Sequence, residues 1–209
     1  MDEHIAKSDP AGRARLRQTA LELFAERGFE ATSTRAVAAA AGFSPALVTR
    51  HFGSKQGLRE AVDAHVLDLL AQRFNSLGAE GDLMSSLGRI STEVFGADPV
   101  LRGYLRHALL EGGEAGAQLF GRLLRGAHSE LLRLSEAYGD EGLDGEGPDA
   151  EWAAFQMLCL VLGPLLLERV MQPNLTEPMF EPAVLSRCGE ANQQLLLRGY
   201  YGRLEHRER

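Results

Sequence analysis

The 209-residue chain is poor in cysteine, lysine and tryptophan, with two, two and one of each. Cys159 and Cys188 lie 29 positions apart and make neither a disulfide framework nor a zinc site. The histidines at 4, 51, 65, 107, 128 and 206 form no pair at metal-ligand spacing, so neither a metal nor a cofactor is expected. There is no G-x-S-x-G, no H-E-x-x-H and no Walker or dinucleotide loop, and Gly112-Gly113-Glu114-Ala115-Gly116 reads only as a helix break. An enzyme is therefore not expected. The longest apolar run, Trp152 to Leu167, is interrupted by Gln156 and Gly163-Pro164. It falls short of the ~20 residues a spanning helix needs, and no membrane segment is expected. Met1-Asp2-Glu3-His4 lacks the basic and then apolar blocks of a signal peptide, so a cytoplasmic location is expected. Period-two alternation, fixed internal repeats and long heptad arrays are also missing.

What is present is a core-forming composition, 44% hydrophobic and 24% charged, with a formal net charge of −7. The negative total argues at first against a nucleic-acid partner. The average hides a split. Residues 10–60 carry eight cations (Arg13, Arg15, Arg17, Arg27, Arg35, Arg50, Lys55, Arg59) against four acids, a balance of +4. Residues 61–209 balance at −9. Such asymmetry suggests a polyanion-binding module joined to an acidic body. The excess of arginine over lysine, 20 to 2, extends through the acidic body and reads as genome composition.

The pattern is helical throughout. Leu16, Ala20, Leu23 and Phe24 give an amphipathic helix over Ala11–Arg27, ended by Gly28. Ser33 is the N-cap of a two-turn helix through Ala41, and Gly42 breaks it. Ser44-Pro45 restarts the chain as N-cap followed by proline at the first helical position, giving a third helix over Pro45–Phe52. Gly53-Ser54 closes that helix and caps a fourth, Lys55 to Leu77, with Leu58, Ala61, Val62, His65, Val66 and Leu69 on one face. Further helices are expected over Leu83–Phe95, Pro99–Leu110, Glu114–Tyr138, Asp149–Met171, which Gly163-Pro164 should kink, and Pro182–Tyr201. Gly139–Pro148, with four glycines and four acids, is expected to be a solvated loop, and Gln172–Pro182, with three prolines, a non-helical connection.

Two short helices joined at Gly42 have the dimensions of a helix-turn-helix, with Val37, Ala38, Ala41, Phe43 and Val48 facing inward. The unit would present the N-terminus of a short helix, with its free N–H groups, to a major groove. The alternative is an ordinary helical hairpin in an all-α core. Ser33-Thr34-Arg35-Ala36-Val37-Ala38 together with Phe43-Ser44-Pro45-Ala46-Leu47-Val48-Thr49-Arg50-His51-Phe52-Gly53-Ser54-Lys55, followed by Leu58, resembles the DNA-binding domain of the tetracycline-repressor (TetR) family. The resemblance runs from Arg17 to Leu58. It implies an all-α protein: a three-helix DNA-binding domain over residues 10–56, then a larger helical ligand-binding and dimerisation domain over 57–209. By the same resemblance, Thr34 and Arg35 match positions that contact phosphate and sometimes a base. Ser44, Pro45, Ala46, Leu47, Thr49 and Arg50 occupy the recognition helix, and His51 matches a histidine near the DNA backbone. Lys55 sits at a helix start that favours a phosphate. Geometry favours Arg35 and Arg50 for guanine O6 and N7, with Thr49 or Leu47 on a thymine methyl, while Lys55 positions rather than specifies. Where the family usually has tyrosine this chain has Thr49, so a phenolic phosphate contact is replaced by a shorter hydroxyl.

Asp149–Met171 is apolar on more than one face, and Pro182–Tyr201 carries Leu185, Leu195, Leu196 and Leu197. A helix apolar all round must be covered on both sides. The resemblance implies that these two helices pair across a dimer axis. Phe95, Tyr104, His107, Phe120, Leu124, His128, Trp152, Phe155 and Cys159 are the candidate lining of a small-molecule pocket, with plain core as the alternative for each. The expected protein is a homodimeric repressor that binds a palindromic operator in double-stranded DNA and is released by a small hydrophobic effector. Its rivals are a DNA-binding architectural protein with no small-molecule response and an all-helical enzyme with a vestigial DNA domain.

Overall fold

Asp9 starts the first helix, α1 (Pro10–Arg27): its carboxylate accepts the Gly12 N–H at 2.8 Å, and Pro10 supplies a fixed φ where no N–H is needed. The computed structural model describes residues 9–77, 92–96, 98–138 and 150–196. Helix α2 spans Thr34–Ala41, α3 Pro45–Phe52 and α4 Lys55–Leu77. A π-helical turn, Thr92–Gly96, precedes α5 (Pro99–Leu110), α6 (Gly113–Tyr138) and α7 (Ala150–Met171). A 3-10 turn, Gln172–Asn174, then leads to α8 (Pro182–Leu196). No strand occurs among the described residues.

Local chemistry accounts for the breaks. The Ser33 hydroxyl accepts the Ala36 N–H at 3.1 Å and caps α2. Gly42 adopts the left-handed region, φ 75° and ψ 28°, and the Phe43 N–H returns to the Ala38 carbonyl at 2.8 Å. After α3, the Ser54 hydroxyl accepts the Gly57 N–H at 3.0 Å to start α4. One connection differs from expectation. Gln172–Asn174 forms a helical turn despite Pro173, because a proline at the start of a helical turn loses no hydrogen bond. Helix α7 carries Pro164 within its length. The expected loop at 139–148 and the expected helical residues 83–91 and 197–201 lie outside the described residues.

The described residues fall into two compact units. The first takes the chain through Ala71 together with Val100–Glu111; the second takes Gln72–Pro99 and the chain from Gly112 onward. The unit holding the helix-turn-helix thus runs past residue 56, into most of α4 and nearly all of α5.

In the first unit, Leu16, Ala20, Leu21 and Phe24 of α1 share a buried core with Val37, Ala38, Val48, Leu58, Val62 and Val66, and α5 adds Leu101, Tyr104 and Leu105. On α4 the fourth buried apolar position is Leu70, not Leu69, which is only half-buried. Gly103 lets α5 cross α1 closely, since a Cβ there would stand 2.7 Å from the Ala25 carbonyl oxygen. The Tyr104 hydroxyl donates to Asp63 of α4 at 2.6 Å.

The end of α5 is tied to the turn after α1. One Glu111 carboxylate oxygen accepts the Phe29 N–H at 2.8 Å, and the other faces the buried Arg59 guanidinium at 3.6 Å. Arg59 also stacks on the Phe29 ring, 4.6 Å from its centroid. Gly28 has φ +81°, and a Cβ there would lie 2.6 Å from the Glu111 carboxylate. Glycine is therefore required at this point both for backbone shape and for room.

In the second unit α6 and α7 pack against each other. Leu119, Ala153, Ala154, Met157, Leu158, Leu162 and Leu165 are buried, and the Phe120 and Phe155 rings stack at 6.0 Å. Helix α8 lies against the Thr92–Gly96 turn, burying Phe95, Val184 and Leu185. Arg73 and Asp98 pair at 2.9 Å. Trp152–Asn174 is long and apolar enough by length and composition alone to cross a membrane, with a mean hydropathy of 1.6, a test that a packed core helix also passes. Only 28% of that window is buried: one face packs in the second unit while Trp152, Leu167 and Val170 remain exposed.

Two outcomes follow for stability. Glu111→Ala strands the buried Arg59 charge, so urea unfolding should show a loss of about 2 kcal/mol. Burial, with Asp63 as neighbour and hydrogen-bond acceptor, pushes the Tyr104 phenol above its ordinary value of 10. The folded chain therefore holds that proton after the unfolded chain has released it. The contribution of Tyr104 is complete below pH ~10 and is lost as pH rises beyond it. In Tyr104→Phe this component of the alkaline fall should vanish, as followed by unfolding free energy against pH.

Candidate nucleic-acid interface

The turn at Gly42-Phe43 sets α3 against α2 through buried Val37, Ala38, Ala41 and Val48. What α3 buries on one side it presents on the other. Ser44, Pro45, Ala46, Thr49 and Arg50 are exposed and Leu47 is half-exposed, so the expected recognition residues form one outer surface. Ser44 has the extended backbone of an N-cap, but its hydroxyl makes no cap bond. Pro45 has no N–H to offer. The positive end of the α3 dipole is thus left open to an anion.

Arg35 stands exposed on the first turn of α2 beside half-buried Thr34. Neither Arg35 nor Arg50 has an acidic partner among the described residues, so both keep their full donor sets. His51 is more enclosed: its Nε2 is shielded from solvent and unpaired among the described residues, and its ring lies 6.1 Å from that of Phe52. Lys55 is partly committed. Its ammonium donates to the Glu30 carbonyl at 3.2 Å and sits 4.2 Å from the Phe29 ring centroid, tying the start of α4 to the turn before α2. Two of its three N–H donors remain.

Arg13 and Arg15, which sequence alone left open between surface charge and function, lie against the helix-turn-helix. The Arg13 guanidinium is 5.0 Å from the Phe52 ring centroid and that of Arg15 5.6 Å from Phe43. On α4, burial and Arg17 lower the His65 pKa from its ordinary value, against the opposing pull of Asp68, so this imidazole is neutral at pH 7. The tie made by Phe29, Arg59 and Glu111 was not foreseen, and Glu111 lies 82 positions from Phe29, where no local pattern points to it.

The nine candidate pocket residues are divided between the units. Tyr104 and His107 belong to the first, and with Phe24, Phe29, Arg59, Ala108 and Glu111 they border a crevice with no room for a water molecule. The others belong to the second unit. Phe120, Trp152 and Phe155 are brought together, with Trp152 and Phe155 at 5.6 Å. Leu124 and His128 are half-buried along α6, Cys159 is exposed on α7, and Phe95 is buried beneath α8. No cluster of potential metal ligands occurs among the described residues.

Among the described residues these features define a helix-turn-helix on an all-helical plan, with arginines exposed on its outer surface. Residues 16–62 match the model of the bacterial regulatory proteins of the tetR family. Over that segment the chain is similar to the helix-turn-helix domain of that family. It is 34% identical over 139 residues to the HTH-type transcriptional regulatory protein RaaS of Mycobacterium tuberculosis, covering 66% of this chain and 60% of RaaS. It is 44% identical over 71 residues to the HTH-type transcriptional repressor Rv3405c of the same organism, covering 32% of this chain and 38% of that one. The chain thus matches less than two thirds of the length of these relatives. GusR of Salmonella enterica shares the fold, with a TM-score of 0.70 over 93% of this chain and 98% of its own at 21% identity.

The two serines before the helix-turn-helix helices should behave oppositely. Ser33→Ala removes a cap bond and should cost about 1 kcal/mol in chemical unfolding, whereas Ser44→Ala, which removes none, should leave the unfolding midpoint unchanged.

Proposed function

We propose that the protein is a homodimeric, one-component repressor that binds a palindromic operator in double-stranded DNA through residues 10–56 and acts in the cytoplasm. The observation that carries this reading is the outer surface of α3, where Arg50, the open helix end and the neighbouring Arg35 are exposed and free of acidic partners among the described residues. In that arrangement the recognition helix enters the major groove. Arg35 and Arg50 read guanine edges, Leu47 and Thr49 pack on thymine methyls, and Thr34, Ser44, Pro45, Ala46, His51 and Lys55 set the helix on the backbone. Repression is the output named for the relative Rv3405c.

Two copies are needed because a single short helix covers few base pairs, and half-sites ~34 Å apart require a two-fold pair of heads. Exposed Trp152, Leu167 and Val170 on α7 and Leu195 on α8 supply apolar surface for a twin subunit. Leu185, placed on that surface by sequence, is buried within the unit, and the Leu196 side chain and Leu197 lie outside the described residues. The effector site is placed in the residue 57–209 body around Phe120, Trp152 and Phe155, with Leu124, His128, Cys159 and Phe95 on the same unit. Its ligand is a small hydrophobic molecule that binds the released state more tightly than the DNA-bound one, since equal affinity would shift nothing.

Duplexes bound by the protein should be selected from a random pool and then challenged with lipophilic compounds. A two-fold symmetric consensus is expected, with loss of binding on addition of the effector. A protein that bends or bridges DNA without such a response would bind regardless of every compound. Arg35→Ala and Arg50→Ala should each relax one base position by about 1–3 kcal/mol in competition binding; identical binding of every duplex by parent and variants would remove both residues from base reading.

A further inference from the structure

We infer that Arg13 and Arg15 of α1 form a two-point phosphate clamp, holding the DNA backbone beyond the two ends of the recognition helix. The inference rests on the DNA-binding reading above and adds two contact residues on a different helix. Phe43 immediately precedes the Ser44 N-cap of α3, and Phe52 is the last residue of α3. Arg15 lies over the first ring and Arg13 over the second, so α1 delivers one guanidinium to each end of the helix. The side chain of Arg15 also borders the turn itself, with one terminal nitrogen 3.7 Å from where a Gly42 Cβ would stand.

Three physical points convert this placement into a role. A guanidinium held over a ring by a cation–π contact spends no N–H donor on that contact, so its donors stay available. Both arginines are exposed, and neither has a carboxylate partner among the described residues, so the charge is not already spent. A recognition helix lies in the major groove between two phosphate rims, so cations held at its ends are placed close to the backbone. Contact with Phe43 and Phe52 also restricts the rotamers of two otherwise floppy side chains, which lowers the entropy lost on binding.

The test measures affinity against salt concentration for the parent, Arg13→Ala, Arg15→Ala and the double variant, on a selected duplex and on a scrambled one. Each arginine removed should make the log–log salt slope shallower by about 0.9. It should weaken binding about tenfold on both duplexes alike, leaving the ratio between them unchanged. Arg13→Lys and Arg15→Lys keep the charge but lose the guanidinium fork. They should retain the parental slope while binding more weakly than the parent. Thermal unfolding midpoints identify any variant whose loss is one of folding, and the lysine variants then carry the comparison. Parental slopes in both alanine variants would overturn the clamp while leaving the DNA-binding reading intact, and so would a changed preference between the duplexes, which would mean base reading. If the parent itself binds no duplex, both fall together.

Discussion

The first unit depends on one carboxylate. Glu111, at the end of α5, accepts the backbone N–H of Phe29 with one oxygen and faces the buried guanidinium of Arg59 with the other. Without it α4 would hold a buried cation with no counter-charge, and the Phe29 amide would turn to water. Breaking such a pair is costly because the remaining charge stays out of water. The same carboxylate accounts for glycine at position 28 and for the stacking of Arg59 on Phe29. Lys55 sits over the same Phe29 ring, so the start of α4, the turn before α2 and the end of α5 meet at a single aromatic side chain.

That meeting point gives α5 a physical connection to the turn before α2 that is stronger than apolar contact alone. Tyr104 bonds Asp63, Gly103 brings the α5 backbone close to α1, and Glu111 closes the end. The two hydrogen bonds are directional and fix α5 along its axis, while the close approach at Gly103 fixes its distance from α1.

Legibility in the sequence followed the range of the interactions. Ser33, Gly42, Gly53 and Ser54 act within four residues of themselves, and the helix boundaries they imply agree with the structure to within a residue. The outward set on α3 was equally plain, because one helical turn of apolar spacing fixes which residues remain outside. Lys55 was legible only as a charge; that its ammonium leans on Phe29 and on the Glu30 carbonyl needs the fold of the turn. Tyr104 and His107 were grouped with the aromatic residues of the body because they follow residue 57. The chain instead returns α5 to the first unit after the second has begun, and no local periodicity reports such a return. Arg13 and Arg15 were ambiguous for the opposite reason, since exposed arginines look alike until the rings beneath them are seen.

Trp152 is the single tryptophan of the chain and it is 62% exposed, close to Phe155 on α7. Its indole is therefore a built-in optical reporter for the second unit. Anything that covers this stretch of α7 takes the indole out of water and shifts its emission to shorter wavelength, so the intrinsic fluorescence of the unmodified protein follows burial at the α7 surface without a label.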